Sequence, residues 1–205
     1  MIYINHPDIE NYIKELIDVD DIILEMEEKA KSENFPIVDR IVGKFLYFIT
    51  VLKSPKIVVE LGSGFGYSAY WFAKGLKDGR VVLTDYKEEN IKTAKEYFKR
   101  GNLIDKAIFK IGDGIEIAKE FKNIDILFLD LEKSRYIEAV KSLKDNLSSD
   151  GLIIADNVLW YGKVLEKNPD KKTEKIKKFT KYMFDNFDTT ILPIRDGVLI
   201  SKVKS

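Results

Sequence analysis

Three side-chain oxygens stand at the ends of two apolar, β-branched runs. LFLDLEKSRY (127–136) puts Asp130 after one run, and LIIADNVLW (152–160) puts Asp156 and Asn157 after the next. Carboxylate and amide oxygens without a nitrogen or sulfur partner make a hard donor set, suited to Mg²⁺, Mn²⁺ or Ca²⁺. Three protein ligands leave positions open for water or substrate. Singly, an Asp or Asn at such a point serves equally as a helix N-cap. Two such ends on neighbouring strands, one carrying a tandem Asp-Asn, favour the metal reading. Lys133 lies three residues past Asp130. Beside a cation and partly desolvated, it is expected to have a lowered pKa and to act as a base; a solvent-facing lysine is the other reading.

A second constellation precedes it. ELGSGFGYSA (60–69) has Gly62, Gly64 and Gly66 at alternate positions after an apolar run. A phosphate loop needs a lysine after its glycines, and a dinucleotide turn needs a third glycine where Tyr67 stands. Neither is met. Bare backbone still permits close approach, and the helix that follows offers free N–H groups to an anion such as a carboxylate. Asp85 closes the next β-branched run, where an acid accepts from both ribose hydroxyls. Asp113, within Gly112-Asp113-Gly114, closes the third and is placed for the amino group of an adenine. A ligand with a carboxylate, a ribose and an adenine but no phosphate is S-adenosylmethionine. The other reading of the glycines is a tight strand-to-helix turn with no ligand.

These residues must be held by something. Five short runs, 56–61, 80–85, 106–111, 124–130 and 152–157, alternate with amphipathic stretches near 66–76, 88–100, 114–120, 133–146 and 173–186. That alternation predicts a doubly wound, parallel α/β sheet with helices on both faces. Two further runs, 189–194 and 198–203, joined at Arg195-Asp196-Gly197, predict a closing hairpin that adds one antiparallel strand. Residues 8–53 read as helical throughout, with Pro36 starting the third helix. The loop at about 157–172 follows the fifth strand, on the side where open α/β sheets place their sites.

Composition narrows the chemistry. The 205 residues hold 34 Lys+Arg and 34 Asp+Glu, so there is no general pull toward polyanions. With no cysteine, thiol nucleophiles, disulfides and zinc-thiolate sites are excluded. The one histidine, His6, reads as a surface or capping residue. Charge is uneven: residues 1–28 are acidic, and 163–181 hold eight lysines. Solvated helix faces account for both, although the lysines also suit the rim of a site for a polyanion. No apolar run approaches the length of a membrane span, and Met1–Asn11 lacks the regions of a signal peptide, so the chain is expected to be cytoplasmic with no membrane partner.

Together these stretches resemble the cation-dependent O-methyltransferases, the family of catechol and caffeoyl-coenzyme A O-methyltransferases and their small bacterial relatives. The resemblance runs from about Phe35 onward. It is carried by VGKFLYFI (42–49), ELGSGFGYSA (60–69), GDG (112–114), FLDLEKSRY (128–136), ADNVLWYGKV (155–164) and LPIRDGVLISK (192–202). It implies a Rossmann-like, seven-stranded sheet, with residues 1–205 as one methyltransferase domain, helical over 1–53 and cofactor-binding over 56–205. It further implies that Val38, Glu60, Gly62, Ser63, Gly64, Ser68, Asp85, Tyr86, Asp113, Gly114 and Asp130 surround the cofactor, Ser68 holding the methionine carboxylate. Asp130, Asp156 and Asn157 would hold the metal. Lys133 would be the base, with Asp130 beside it, and Trp160 would wall the acceptor pocket with Lys133.

The expected reaction is methyl transfer to a vicinal dihydroxy aromatic. A hydroxylated uridine of tRNA is the alternative acceptor, and a non-catalytic cofactor-binding protein is the reading that the intact acid-lysine set argues against. Small bacterial members are commonly homodimers. Leu131, Glu132, Arg135 and Arg195 depart from the family pattern, and the departures bear on the acceptor.

Overall fold

The computed structural model describes residues 4–203; positions 1–3 and 204–205 of the expected unit lie outside the described residues. Three helices come first: α1 (Pro7–Leu16), α2 (Asp21–Ser32) and α3 (Arg40–Lys53). Each is opened by a side chain that accepts from an otherwise orphaned N–H. His6 accepts from Asp8, Asp20 from Ile23, and Asp39 from Ile41 and Val42. The expectation that Pro36 starts the third helix is corrected here. Asp39 is the stronger start signal, because its carboxylate caps two amides at 2.9 and 3.3 Å. Residues 35–39 therefore stay outside the helix, and they become a wall of the site.

The remainder alternates as β1 (Ile57–Leu61), α4 (Tyr67–Gly75), β2 (Arg80–Asp85), α5 (Glu88–Arg100), β3 (Ala107–Ile111), α6 (Gly114–Ala118), β4 (Ile124–Leu129), α7 (Tyr136–Leu143), β5 (Leu147–Ala155), α8 (Lys171–Asn186), β6 (Phe187–Leu192) and β7 (Val198–Val203). Lys133–Arg135, expected as the first turn of a longer helix, is a separate 3₁₀ turn ahead of α7. β5 begins earlier than its apolar run, and both β4 and β5 stop one residue short of their acids.

The strands form one sheet of order β3-β2-β1-β4-β5-β7-β6. β1 to β5 are parallel, with Val58 beside Val81 and Ile126. β7 runs antiparallel between β5 and β6, so the hairpin contributes one reversed strand, as its sequence predicted. The chain winds outward through β2 and β3 and then returns to place β4 beside β1. That reversal opens a crevice at the carboxyl ends of β1 and β4, the point where doubly wound sheets bind ligands.

Alternation along the strands fills both faces. Val58, Val81, Ile126 and Phe128 pack beneath α3, α4 and α5, while Val59, Val82, Leu127 and Leu129 pack beneath α6, α7 and α8. Phe128 meets Phe72 edge-on at 5.5 Å on the first face, and Tyr136 meets Phe179 at 4.9 Å on the second. Each such fully buried ring or aliphatic chain contributes about 2 kcal/mol of burial, which fixes the strand ends rigidly. Among the described residues no helix is long and apolar enough to cross a membrane.

Candidate active site

The glycine turn connects β1 to α4. Gly62 lies at φ +88°, and a Cβ there would stand 2.7 Å from the carbonyl oxygen of Asp130. Only glycine lets the β1 turn close on the end of β4. A side chain at Gly64 (φ +51°) would meet the ring of Phe35 at 2.8 Å. The turn is pinned from β2: Gly62 and Ser63 donate their N–H groups to Thr84 O, Ser63 Oγ accepts from Thr84 N at 3.0 Å, and Gly64 N donates to Asp85 Oδ2 at 3.0 Å. Asp85 also accepts from Lys87 N and Asn90 Nδ2.

Beneath the turn, Glu60 is fully buried and one carboxyl oxygen, Oε2, has no hydrogen-bond partner. Burial pushes its pKa up to about 7 against the opposing hydrogen bonds from Ser68 and Ser63. Ser68 Oγ donates its one proton to Glu60 Oε1. Ser68, expected to hold a carboxylate, lines the site cavity while bonded to Glu60. No side chain caps the start of α4, so its backbone amides are the donors left for an anion there.

Asp130 and Asp156 begin just past the paired strands, their N–H groups reaching back to Leu61 O and Leu129 O. Asp156 is 4% exposed, its Oδ1 has no partner, and its Oδ2 accepts from Asn157 Nδ2 at 2.9 Å. Burial, and then the neighbouring Asp130, push its pKa up to about 7. Asp130 keeps 26% of its side chain open to the cavity, and burial on its other sides raises its pKa against the pull of Lys133. Asn157 takes a left-handed backbone at φ +61°.

Lys133 Nζ sits 3.2 Å from Asp130 Oδ1 and 2.6 Å from Tyr136 Oη. It is 7% exposed, so the solvent-facing reading does not hold. The lowered pKa is an expectation for Lys133 beside a cation. Among the protein's own groups, burial works in that direction, but Tyr136, Asp130 and Asp156 outweigh it and hold the ammonium above its ordinary range. Tyr136 donates to Leu129 O at 2.8 Å and is itself fully enclosed. It was missed as a site residue, although its place three positions after Lys133 was a readable signal.

A cavity of about 430 Å³ lies among these groups, with Glu60 and Tyr136 outside its lining. Val38, Gly62, Ser63, Gly64, Ser68, Asp85, Asp130, Lys133, Asp156, Asn157 and Trp160 all line it, with Asp39, Lys172, Arg195 and Asp196 as members that spacing did not reveal. Trp160, Tyr161 and Arg195 have φ of +47°, +53° and +50°. Non-glycine residues in that region carry strain, and such strain gathers at functional sites. Lys172 Nζ lies 4.5 Å from the Trp160 ring centre. A second cavity of about 330 Å³ shares Gly62, Asp85, Leu131 and Glu132 with the first and extends to Tyr86, Gly114 and Arg135. Asp113 lines neither; it caps α6 and bonds Tyr86 and Arg135.

The donor set suits a hard cation. Among the described residues no three His, Cys, Asp or Glu side chains gather as a ready metal cluster. The set here is two carboxylates and an amide, and the unpartnered, buried Oδ1 of Asp156 beside a second carboxylate is the arrangement that a cation would satisfy.

A parallel sheet whose seventh strand is inserted in reverse, with a bare glycine turn after β1 and acids at the ends of β2 to β5, defines the Rossmann-like S-adenosylmethionine-dependent methyltransferases. The family model for O-methyltransferases matches residues 17–204, and the chain belongs to that family. It is 30% identical over 215 aligned positions to a catechol O-methyltransferase of Niastella koreensis, with 96% of each chain covered. To a caffeoyl-CoA O-methyltransferase of Medicago sativa it is 28% identical, over 78% of this chain and 72% of that one. The crystal structure of a methyltransferase from Geobacter sulfurreducens superposes with a TM-score of 0.87 at 32% identity, covering all of both chains. An O-methyltransferase of Bacillus cereus in complex with SAH shares the fold at a TM-score of 0.86 and 24% identity, over 96% of this chain and 97% of that one.

Proposed function

We propose that the protein transfers the methyl group of S-adenosylmethionine to one hydroxyl of a vicinal dihydroxy aromatic, with a divalent cation held by Asp130, Asp156 and Asn157. One observation carries the metal reading: two carboxylates share a cavity, and the buried one, Asp156, has an oxygen with no partner. The catechol and caffeoyl-CoA relatives support the acceptor class. When bound, the cation would supply the charge that stabilises the acceptor's phenolate, with Mg²⁺ the first candidate and Mn²⁺ or Ca²⁺ also fitting oxygen ligands.

The chain's own residues do the rest. The glycine turn and Asp85 bind and orient the cofactor, and the uncapped amides of α4 receive its carboxylate. Trp160 walls the acceptor, and residues 35–39, Val38 among them, line the same cavity. Lys133, 3.2 Å from Asp130, takes the hydroxyl proton once the acid charge that keeps it protonated is offset. Holding oxygen and methyl in line within about 3–3.5 Å supplies much of the acceleration. Because residues 35–39 and the closing hairpin both reach the cavity, the whole chain is proposed to work as one catalytic domain.

A second reading, a hydroxylated uridine in tRNA, is favoured by one feature: α8 brings Lys172 to the cavity beside Trp160, with further lysines along the helix. Methyl transfer to a panel of catechols and to undermodified tRNA, with Mg²⁺ and with EDTA, separates the readings. The expected result is transfer to catechols that EDTA abolishes while cofactor binding persists. Full activity in EDTA would remove the metal role, and salt-sensitive activity on tRNA alone would favour the second reading.

A further inference from the structure

We infer that Arg135 and Tyr86 form a clasp over the cofactor's adenine, and that Asp113 anchors this clasp instead of binding the base's amino group. The inference rests on the reading of the groove as the S-adenosylmethionine site.

The second cavity is where a purine would lie. It continues from the glycine turn past Asp85, and its lining includes Leu61, Gly112, Gly114 and Leu131, surfaces that are apolar or bare. Tyr86 and Arg135 line the same cavity from different elements, one just past β2 and the other in the 3₁₀ turn before α7.

Asp113 has little left to offer an amino group. Its Oδ1 accepts from Ile115 N at 2.9 Å, and its Oδ2 accepts from Tyr86 Oη at 2.7 Å and pairs with Arg135 Nη2 at 2.9 Å. These hydrogen bonds hold its carboxyl below the usual carboxylate range against the effect of burial. An amino group could reach it only by displacing one of them.

Arg135 is fixed by its edges. Nε and Nη2 fork onto Glu138 at 3.1 and 3.0 Å, Nη1 donates to Tyr86 Oη at 3.0 Å, and Nη2 pairs with Asp113. The flat faces of the guanidinium are what remain for a ligand, and a guanidinium face stacks well on an aromatic ring. Tyr86 is 63% exposed, so these hydrogen bonds, rather than packing, hold its ring at the cavity.

The test is calorimetric binding of S-adenosylhomocysteine and of its inosine counterpart, in which an oxo group replaces the amino group, to the full chain and to Arg135→Asn, Arg135→Lys and Tyr86→Phe. The wild type is expected to bind the two nucleosides within about threefold of each other, a difference too small for a lost charged hydrogen bond. Arg135→Asn should weaken both by about tenfold, the size of one stacked cation. Arg135→Lys should recover little, because lysine lacks the plane. Tyr86→Phe keeps the ring but loses the tether, and it carries the same expectation if the Arg135 variants fold poorly by their ligand-free melting temperature.

A wild type that binds the inosine compound more than tenfold weaker, with clasp variants unchanged, would show Asp113 reading the amino group and overturn the inference. Variants that bind both compounds as the wild type does would also overturn it. If the wild type binds neither compound, the donor reading falls first and takes the clasp with it.

Discussion

Glu60 makes the protein's stability depend on pH in a direction opposite to that of ordinary ion-paired acids. In the folded chain its carboxyl keeps its proton up to about pH 7, whereas its ordinary value is 4.5. Between those values the folded state binds the extra proton and is favoured. The stabilisation is complete below the lower value and lost as pH rises through the upper one. For a fully buried group this is worth about 3 kcal/mol at most. Melting in chelator should therefore fall by about 5 °C between about pH 5.5 and 8, and Glu60→Gln should flatten much of that slope. A melting temperature that rises over the interval would contradict the burial argument. Lys133 supplies a separate test. Lys133→Ala should lower kcat by at least about 10² while cofactor affinity changes little; an unchanged kcat at neutral pH would remove it as the base.

The elements owe their positions to contacts that tolerate little change. Gly62 lets the β1 turn touch the end of β4 and thereby sets the spacing between cofactor turn and acid cluster. Gly62→Ala forces a Cβ to 2.7 Å from a backbone oxygen at φ +88°. A loss of about 2–4 kcal/mol in urea unfolding is expected, with cofactor affinity falling in the same variant. An unchanged denaturation midpoint would show that the turn relaxes freely. The sequence made these elements legible because β-branched runs and glycines act locally. It did not reveal that residues 35–39 stay outside a helix, because Asp39 and Pro36 are competing start signals three positions apart. Nor could it show Lys133 held charged, or Asp113 already engaged. The partners that decide the latter, Arg135 and Tyr86, lie 22 and 27 positions away and meet it only through the order of the sheet. The acid-ended strands were readable one by one; their electrostatics depended on which became neighbours.

At the scale of the whole molecule, two helices carry exposed apolar side chains. α1 exposes Ile9, Tyr12 and Leu16, and α3 exposes Phe48, Val51 and Leu52. Apolar groups at that density suit burial against another protein surface, and a second copy of the chain is the proposed occupant, consistent with the homodimer expected from the resemblance. Sedimentation should give a dimer at micromolar concentration, and Phe48→Glu with Leu52→Glu should give a folded monomer. A monomeric wild type would reject the proposal.

The Arg195 guanidinium lies 3.3 Å from Asp39, which ties the hairpin turn to the segment ahead of α3, and both line the cavity; Asn5, ahead of α1, donates through Nδ2 to Pro193 O at 2.8 Å. β7, which carries that turn, is also the strand wedged between β5 and β6. A chain that ended before residue 193 would lack Arg195, Asp196 and the strand wedged beside β5, and with them the part of the cavity wall that the end of the sequence supplies.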